Sequence, residues 1–138
     1  MDNSYNWKKL HWRTLETAYR TSPFFEFYED DLRGIFLGEE SSLYGFNLAG
    51  IAIVAQCLGI ECPTARTGNY NIHSPEYLDA RFLAGAKRER PIPLDPYPQV
   101  FEDRHGALHN LSVLDLLFNL GTQALPYLKD QKLDFLDD

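Results

Sequence analysis

The segment from Ser41 to Ile60 carries no charged side chain, and it restricts the possible folds more than any other feature. Apolar residues occur on nearly all sides of the helix predicted over 42–59, and a helix of that kind usually lies at the centre of a globular protein. Asn47, Gln56 and acidic flanks make a membrane span the weaker alternative, because spanning helices need about 20 mainly apolar residues and basic flanks. We therefore expect a compact helical domain with one central apolar helix and no stable membrane insertion.

Helical periodicity and capping signals predict further helices on both sides of this segment. They cover 5–22, 30–36, 74–82 and 111–120, and a last short turn covers 124–128. Closely spaced prolines make 85–98 a surface loop, because proline breaks helices and cannot donate a backbone hydrogen bond to a sheet. The turn-rich stretch 60–71 leaves room for a small strand pair, and 130–138 is an acidic tail. The predicted fold class is mainly α, as a single domain over 1–138.

Composition and charge disfavour several classes of function. The chain has 138 residues and a formal net charge of −7, so a basic nucleic-acid-binding surface is not expected. Two cysteines cannot form a disulfide framework, and the spacing of Cys57 and Cys62 is not that of a redox or metal pair. The first nine residues lack the features of a signal peptide, which predicts a cytoplasmic protein. No glycine-rich nucleotide loop and no nucleophile elbow occurs, so the cofactor stays unknown.

The first predicted helix carries polar residues that could serve transfer chemistry. His11 is a candidate general base, because the pKa of an unperturbed imidazole lies near neutrality, at about 6.5. Its alternative role is a core histidine that bonds a backbone carbonyl. Arg13 could grip a phosphate or carboxylate, with Glu16 holding it in position. The alternative for that pair is a structural salt bridge.

A second group of candidates lies before and within the helix predicted over 111–120. Arg104 and His105 precede a glycine and could bind an anion near the helix N-terminus, or they could form a solvated turn. Asp115 could orient His11 or His105, as an acidic partner orients an imidazole in hydrolases, or it could belong to the cap of its own helix. His105 and His109 lack the further ligands of a zinc site, so no metal site is predicted.

Three blocks of the chain resemble one known family. The blocks are His11–Arg20 with its continuation to Asp30, Tyr97–Phe101 followed by Arg104–Gly106, and Asn110–Asn119. Together they resemble the WbqC-like family of bacterial proteins, named for a gene of O-antigen clusters. Two positions depart from the expected pattern, because His109 and Leu120 stand where Pro and Glu are expected.

The resemblance implies a role in the synthesis of bacterial surface polysaccharide. It also suggests transfer of an acyl or aminoacyl group onto an activated amino sugar, with a sugar nucleotide or acyl donor as the partner. By the same resemblance the chain corresponds to the C-terminal two-thirds of a family member, without the N-terminal portion.

Two functions follow from these observations, and they make different structural predictions. A transferase predicts a pocket with converging polar side chains, with His11, His105 and Asp115 catalytic and the others binding substrate. Its lining would be His11, Arg13, Tyr19, Arg104, His105 and Asp115, with Glu16 supporting Arg13. A non-catalytic helical interaction module, such as a subunit that partners a polysaccharide-synthesis enzyme, predicts no such pocket. It predicts instead an exposed aromatic patch within Phe24–Tyr28.

Overall fold

The computed structural model describes residues 5–70, 78–79, 81, 92 and 94–133, and it is helical throughout its regular parts. Its helices are α1 (Trp7–Tyr19), α2 (Phe25–Leu37), α3 (Leu43–Leu58), α4 (Glu102–His105), α5 (Val113–Leu120) and α6 (Ala124–Asp130). A short 3-10 turn, Gly121–Gln123, joins α5 to α6. The prediction of a mainly α fold is confirmed. The predicted strand pair is absent from the described residues, where 60–70 forms bends and irregular chain.

Helix α1 is shorter than the predicted 5–22, and helix α2 is longer than the predicted 30–36. The Asn6 side chain caps α1 by accepting a hydrogen bond from the Lys9 amide at 3.1 Å. The helix ends at Tyr19, ahead of the turn that contains Pro23. The aromatic residues of Phe25–Tyr28 and the helix predicted at 30–36 form one continuous helix, α2. No glycine or proline separates the two parts before Gly34, so the helix continues through them.

The core lies between α1, α2 and α5. Its largest fully buried side chains come from α2 and α5: Phe25, Leu32, Leu117 and Phe118. The Trp12 ring of α1 stacks on Phe25, and Phe25 meets the Phe118 ring edge-on with centroids 5.0 Å apart. Because aromatic rings bury large areas, these contacts supply much of the hydrophobic stabilisation.

Helix α3 does not occupy the centre that its composition predicts. Ala55 is its one buried residue, while Leu43 is 60% exposed and Ile51 is 56% exposed. One face of α3 packs on α2, where Ile53, Val54 and neighbouring residues contact the core. The physical reason is volume: the bulky aromatic side chains of α1, α2 and α5 fill the centre and leave α3 at its edge. The predicted α3 bounds hold, since Ser42 caps the helix and Gly59 ends it in the left-handed conformation.

A close backbone approach fixes α5 against the start of α2. Gly121 follows α5 with φ +57° and lies so near Phe24 that an added Cβ would stand 2.6 Å from the ring. The Phe24 amide also donates to the Phe118 carbonyl at 3.0 Å. Glycine meets both requirements at this junction, because it adopts a positive φ without strain and has no side chain that would overlap the Phe24 ring.

Several predicted elements fall wholly or partly outside the described residues. They are the helix over 74–82, most of the loop over 85–98 and the end of the acidic tail. The described part of that loop, 94–98, is irregular, as its prolines predict. In the portion of the chain that is described, no helix combines the length and the apolar character required to cross a membrane.

Candidate functional site

A buried carboxylate, Asp115, is the centre of the main polar cluster. Its side chain is only 3% exposed. The Tyr19 hydroxyl donates to Oδ2 at 2.9 Å, and the Tyr97 hydroxyl donates to Oδ1 at 2.7 Å. The Asn119 side-chain amide donates to Oδ1 at 3.2 Å and to the Asp115 carbonyl at 2.8 Å. The cluster thus joins α1, α5 and the irregular segment that carries Tyr97.

Local sequence explains how each member reaches the cluster. Ser112 begins α5 by accepting a hydrogen bond from the Leu114 amide, which places Asp115 in the first turn. Asn119 lies four residues further along the same helix face. Tyr19 is the last residue of α1, and Tyr97 lies between two prolines that hold its segment extended. Asp115 therefore does not serve as a side-chain cap, because its oxygens bind the two phenols and Asn119.

The electrostatics of the cluster keep both phenols protonated. Burial raises the pKa of Tyr19 well above its ordinary value, and the hydrogen bond to Asp115 and the negative charge of that carboxylate raise it further. The same causes, in the same order, raise the pKa of Tyr97. Among the described residues, no lysine or arginine forms an ion pair with Asp115. Neutral donors alone therefore compensate the desolvation of this carboxylate.

The acceptor capacity of Asp115 is not exhausted by these bonds. A carboxylate offers about four lone-pair positions over its two oxygens. Tyr97 and Asn119 share Oδ1, whereas Tyr19 is the one donor to Oδ2 in the described part of the chain. By this count, one acceptor position on Oδ2 has no donor among the described residues.

His11 lies apart from this cluster. It is exposed, and its ring meets Trp7 edge-on with centroids 5.4 Å apart. Eight residues separate it from Tyr19 on α1, which corresponds to about 12 Å along the helix axis. The proposed orientation of His11 by Asp115 is therefore wrong for this structure. Its alternative as a core histidine is also wrong, because the side chain is not buried.

Arg13 and Glu16 do not form the predicted pair. Arg13 is exposed and makes no ion pair among the residues that the structure describes. Glu16 instead lies 3.5 Å from Arg20, whose guanidinium binds Glu29 at 2.6 Å. These pairs lie at the surface, where such contacts contribute little to stability. An anion-binding role for Arg13 stays a prediction.

Arg104 and His105 form part of a short exposed helix, α4. Neither side chain makes a hydrogen bond within the described structure, and neither contacts Asp115. The proposed pairing of His105 with Asp115 is therefore absent here. The six residues predicted to line one pocket fall into three places: the outer part of α1, α4 and the Asp115 cluster. Only Tyr19 and Asp115 of that set come together.

Two members of the cluster were not predicted as site residues. Tyr97 belongs to a segment that reads as a proline-rich loop, and Asn119 lies on an otherwise apolar helix. Asn119 carried a usable signal, because an Asp and an Asn four residues apart share one helix face. The sequence signal for Tyr97 was weaker. Prolines on both sides restrict its backbone, and a tyrosine side chain is suited to a buried hydrogen bond.

The described residues contain no cluster of three or more potential metal ligands among His, Cys, Asp and Glu. Cys57 and Cys62 are both free thiols. Burial raises the pKa of the Cys57 thiol, with the charge of Asp31 as a smaller cause. A raised pKa makes a thiol less nucleophilic at neutral pH. The Cys57 side chain packs against the core beside Ile53 and Val54.

Comparison with known proteins gives one match. The sequence model of the WbqC-like protein family matches residues 1–90, which contain the block that begins at His11. The blocks around Tyr97 and Asp115 lie beyond the matched residues. The match lies in the N-terminal part of the chain and does not support its assignment as the C-terminal two-thirds of a family member. No curated protein and no solved structure matches. Because the match covers well over half of the sequence, the chain belongs to the WbqC-like protein family.

Proposed function

We propose that the protein acts in the cytoplasm in the assembly of bacterial surface polysaccharide, by transferring an acyl or aminoacyl group onto an activated amino sugar. Family membership over residues 1–90 supports the polysaccharide role, because the family takes its name from a gene of O-antigen clusters. In the reaction, the sugar amine attacks the acyl carbonyl carbon of an ester or thioester. A C–N bond forms and the bond between the acyl carbon and the oxygen or sulfur of the carrier breaks. The amine loses a proton, and the carrier leaves as an alcohol or thiol after taking one up.

The observation that carries this proposal is the buried carboxylate of Asp115 without a cationic partner. Burying a carboxylate is costly, so one that is held by neutral donors is suited to bind a further hydrogen-bond donor or a cationic group. The open acceptor position on Oδ2 suits the neutral amine of an acceptor sugar, because an amine N–H can donate to the carboxylate while the nitrogen lone pair stays available for attack. In this proposal Asp115 binds the amine, and Tyr19 keeps the carboxylate in position. Arg104 and Arg13 are the candidate groups for a phosphate.

A thermal-shift screen of the purified chain tests the proposal against sugar nucleotides, acyl-CoAs and free amino acids. A ligand present at 100 times its Kd adds about 2.7 kcal/mol to stability. We expect an amino-sugar nucleotide to raise Tm, and we expect Asp115→Asn to reduce that increase. Arg104→Ala should weaken binding of the charged nucleotide. Arg66→Ala is the control, because Arg66 is an exposed arginine that binds the Tyr44 hydroxyl and is not a member of the Asp115 cluster. Binding that is equal in all variants would contradict the proposed site.

A non-catalytic helical module is the second candidate, and the scattered positions of His11, Arg13, Arg104 and His105 favour it. Such a module predicts that the aromatic segment Phe24–Tyr28 is exposed, and only part of that segment is exposed in the structure. Phe27 is 72% exposed, whereas Phe25 and Tyr28 belong to the core. The same screen separates the two candidates. No Tm increase with any small molecule, together with intact folding, would favour the module over the transferase.

A further inference from the structure

The segment Leu94–Asn110, here termed the strap, is attached to the helical body in an unusual way. None of its residues is buried, although several are half-buried. Its backbone–backbone hydrogen bonds within the described residues are local, such as Gly106 to Glu102 at 2.8 Å. Pro96 and Pro98 have no backbone donor. Apart from the Tyr97 ring, which packs against the core, the strap therefore has little of the two features that make a segment part of a cooperative core: apolar burial and backbone bonding to neighbouring elements.

Side-chain hydrogen bonds hold the strap on the body instead. The Tyr97 hydroxyl binds Asp115 of α5 at 2.7 Å. The Asp95 amide donates to Gln131 Oε1, just after α6, at 2.9 Å. The Tyr127 hydroxyl of α6 donates to the Asp95 carbonyl, and its ring meets the Tyr97 ring edge-on. Among these, the Tyr97 bond is the one that reaches a buried charge, and bonds to charged groups are the stronger ones.

The strap also carries internal bonds that maintain its shape. The Gln99 side chain spans it, because its Nε2 donates to the Leu108 carbonyl at 2.6 Å and its Oε1 accepts from the Leu108 amide at 2.9 Å. His109 Nδ1 lies 3.1 Å from the Leu94 carbonyl. These bonds do not involve the helical body. The strap can consequently leave the body without losing its own internal contacts.

A backbone conformation that is rare for a non-glycine residue marks the strap's C-terminal end. Asn110 has φ +57°, the one positive φ of a non-glycine residue in the described chain. Asparagine tolerates this conformation better than most residues. Asn110 lies two residues before the Ser112 cap of α5, so rotation there moves the strap and leaves the helix intact.

We propose that the strap is a latched cover that opens as a unit about Asn110, while the core of α1, α2 and α5 stays folded. The latch is the Tyr97–Asp115 hydrogen bond. Opening removes Tyr97 from Oδ1 and gives solvent access to the carboxylate, with Tyr19 still bound to Oδ2. It also carries Arg104 and His105 away from their positions in the closed structure. Access to Asp115 is thus controlled by the population of the open strap.

Amide hydrogen exchange measured by NMR on the full chain tests this proposal. The Asp95 amide reports the contact between strap and body, the Leu108 amide reports the internal structure of the strap, and the Phe118 amide reports the core. In Tyr97→Phe, we expect the Asp95 amide to exchange at least tenfold faster. The Phe118 amide should change by less than twofold, and the Leu108 amide by less than threefold.

Tyr44→Phe is the matched control, because its hydroxyl accepts a hydrogen bond from Arg66 at the surface and lies outside the strap. It should leave all three amides unchanged. Two results would overturn the proposal. If the Asp95 amide exchanges at the same rate in Tyr97→Phe as in the parent chain, the Tyr97 hydroxyl does not hold the strap closed. Equal acceleration at Asp95 and Phe118 would show that the strap opens only with global unfolding.

Discussion

Gly121 is the residue at which backbone conformation and packing most clearly restrict the sequence. It combines a φ of +57° with a Phe24 ring so close that a methyl group would overlap it. We expect Gly121→Ala to lower the free energy of unfolding by about 2–4 kcal/mol, through backbone strain and overpacking. The shift of the urea midpoint measures this loss.

Gly34→Ala provides a control of opposite sign. Gly34 lies inside α2, with nothing within 4 Å of the position of an added Cβ. Alanine is a better helix former than glycine, so this change should stabilise the chain by about 0.5–1 kcal/mol. Destabilisation by both changes to the same extent would contradict the special role of Gly121.

At the same scale, Asp115 could be singled out from the sequence but its partners could not. A carboxylate on an apolar helix signals a buried polar interaction, because an unpaired buried charge is costly. The bonds that satisfy it come from Tyr19 and Tyr97, which are 96 and 18 residues away. Spacing along the chain contains information on contacts within a helix, and none on contacts between elements. The pairing with an imidazole failed for that reason.

Among the elements, α3 depends on its N-terminal cap. The Ser42 hydroxyl accepts a hydrogen bond from the Gly45 amide at 2.9 Å. We expect Ser42→Ala to destabilise the chain by about 0.5–2 kcal/mol, because it leaves a helix N-terminal amide without its partner. Ser41→Ala removes an exposed hydroxyl that makes no hydrogen bond within the described part of the chain, so its effect should be near zero. Chemical denaturation compares the two, and equal losses would contradict the cap.

The ends of the helices were more predictable than their positions in the fold. Ser42, Gly59, Ser112 and Gly121 mark ends through capping and left-handed conformations, which are local properties. The position of α3 depends on which side chains fill the centre, and mean hydropathy does not distinguish a buried helix from an apolar helix at an edge. The large aromatic side chains of α1, α2 and α5 fill the centre, and α3 therefore lies at its edge.

For the molecule as a whole, stability should depend on the α1–α2–α5 core far more than on the outer face of α3. Phe118→Ala removes a fully buried ring and should cost about 3–5 kcal/mol. Ile51→Ala, at a position that is 56% exposed, should change stability by no more than about 0.5 kcal/mol. Urea titrations measure both. If Ile51→Ala lowers the free energy of unfolding more than Phe118→Ala does, α3 and not the α1–α2–α5 core is the main source of stability.

Alkaline pH should weaken the closed structure through Tyr19 and Tyr97. Both phenols have raised pKa values in the folded state, so the unfolded chain releases their protons first, from about pH 10 upward. Their contribution is therefore constant below about pH 10 and decreases above it. The double variant Tyr19→Phe/Tyr97→Phe should lose less stability per pH unit above pH 10. Parallel pH profiles for variant and parent would contradict this assignment.

The most direct test of the account is a double-mutant cycle between Tyr97→Phe and Asp115→Leu, measured as free energies of unfolding in urea. If Asp115 holds the strap through Tyr97, removing the hydroxyl costs stability only while the carboxylate is present. We expect a coupling of at least about 1 kcal/mol. His105→Gln with Asp115→Leu should show no coupling, because those side chains do not meet. If the losses in free energy of unfolding caused by Tyr97→Phe and Asp115→Leu are additive, the Tyr97 hydroxyl and the Asp115 carboxylate do not hold the strap together.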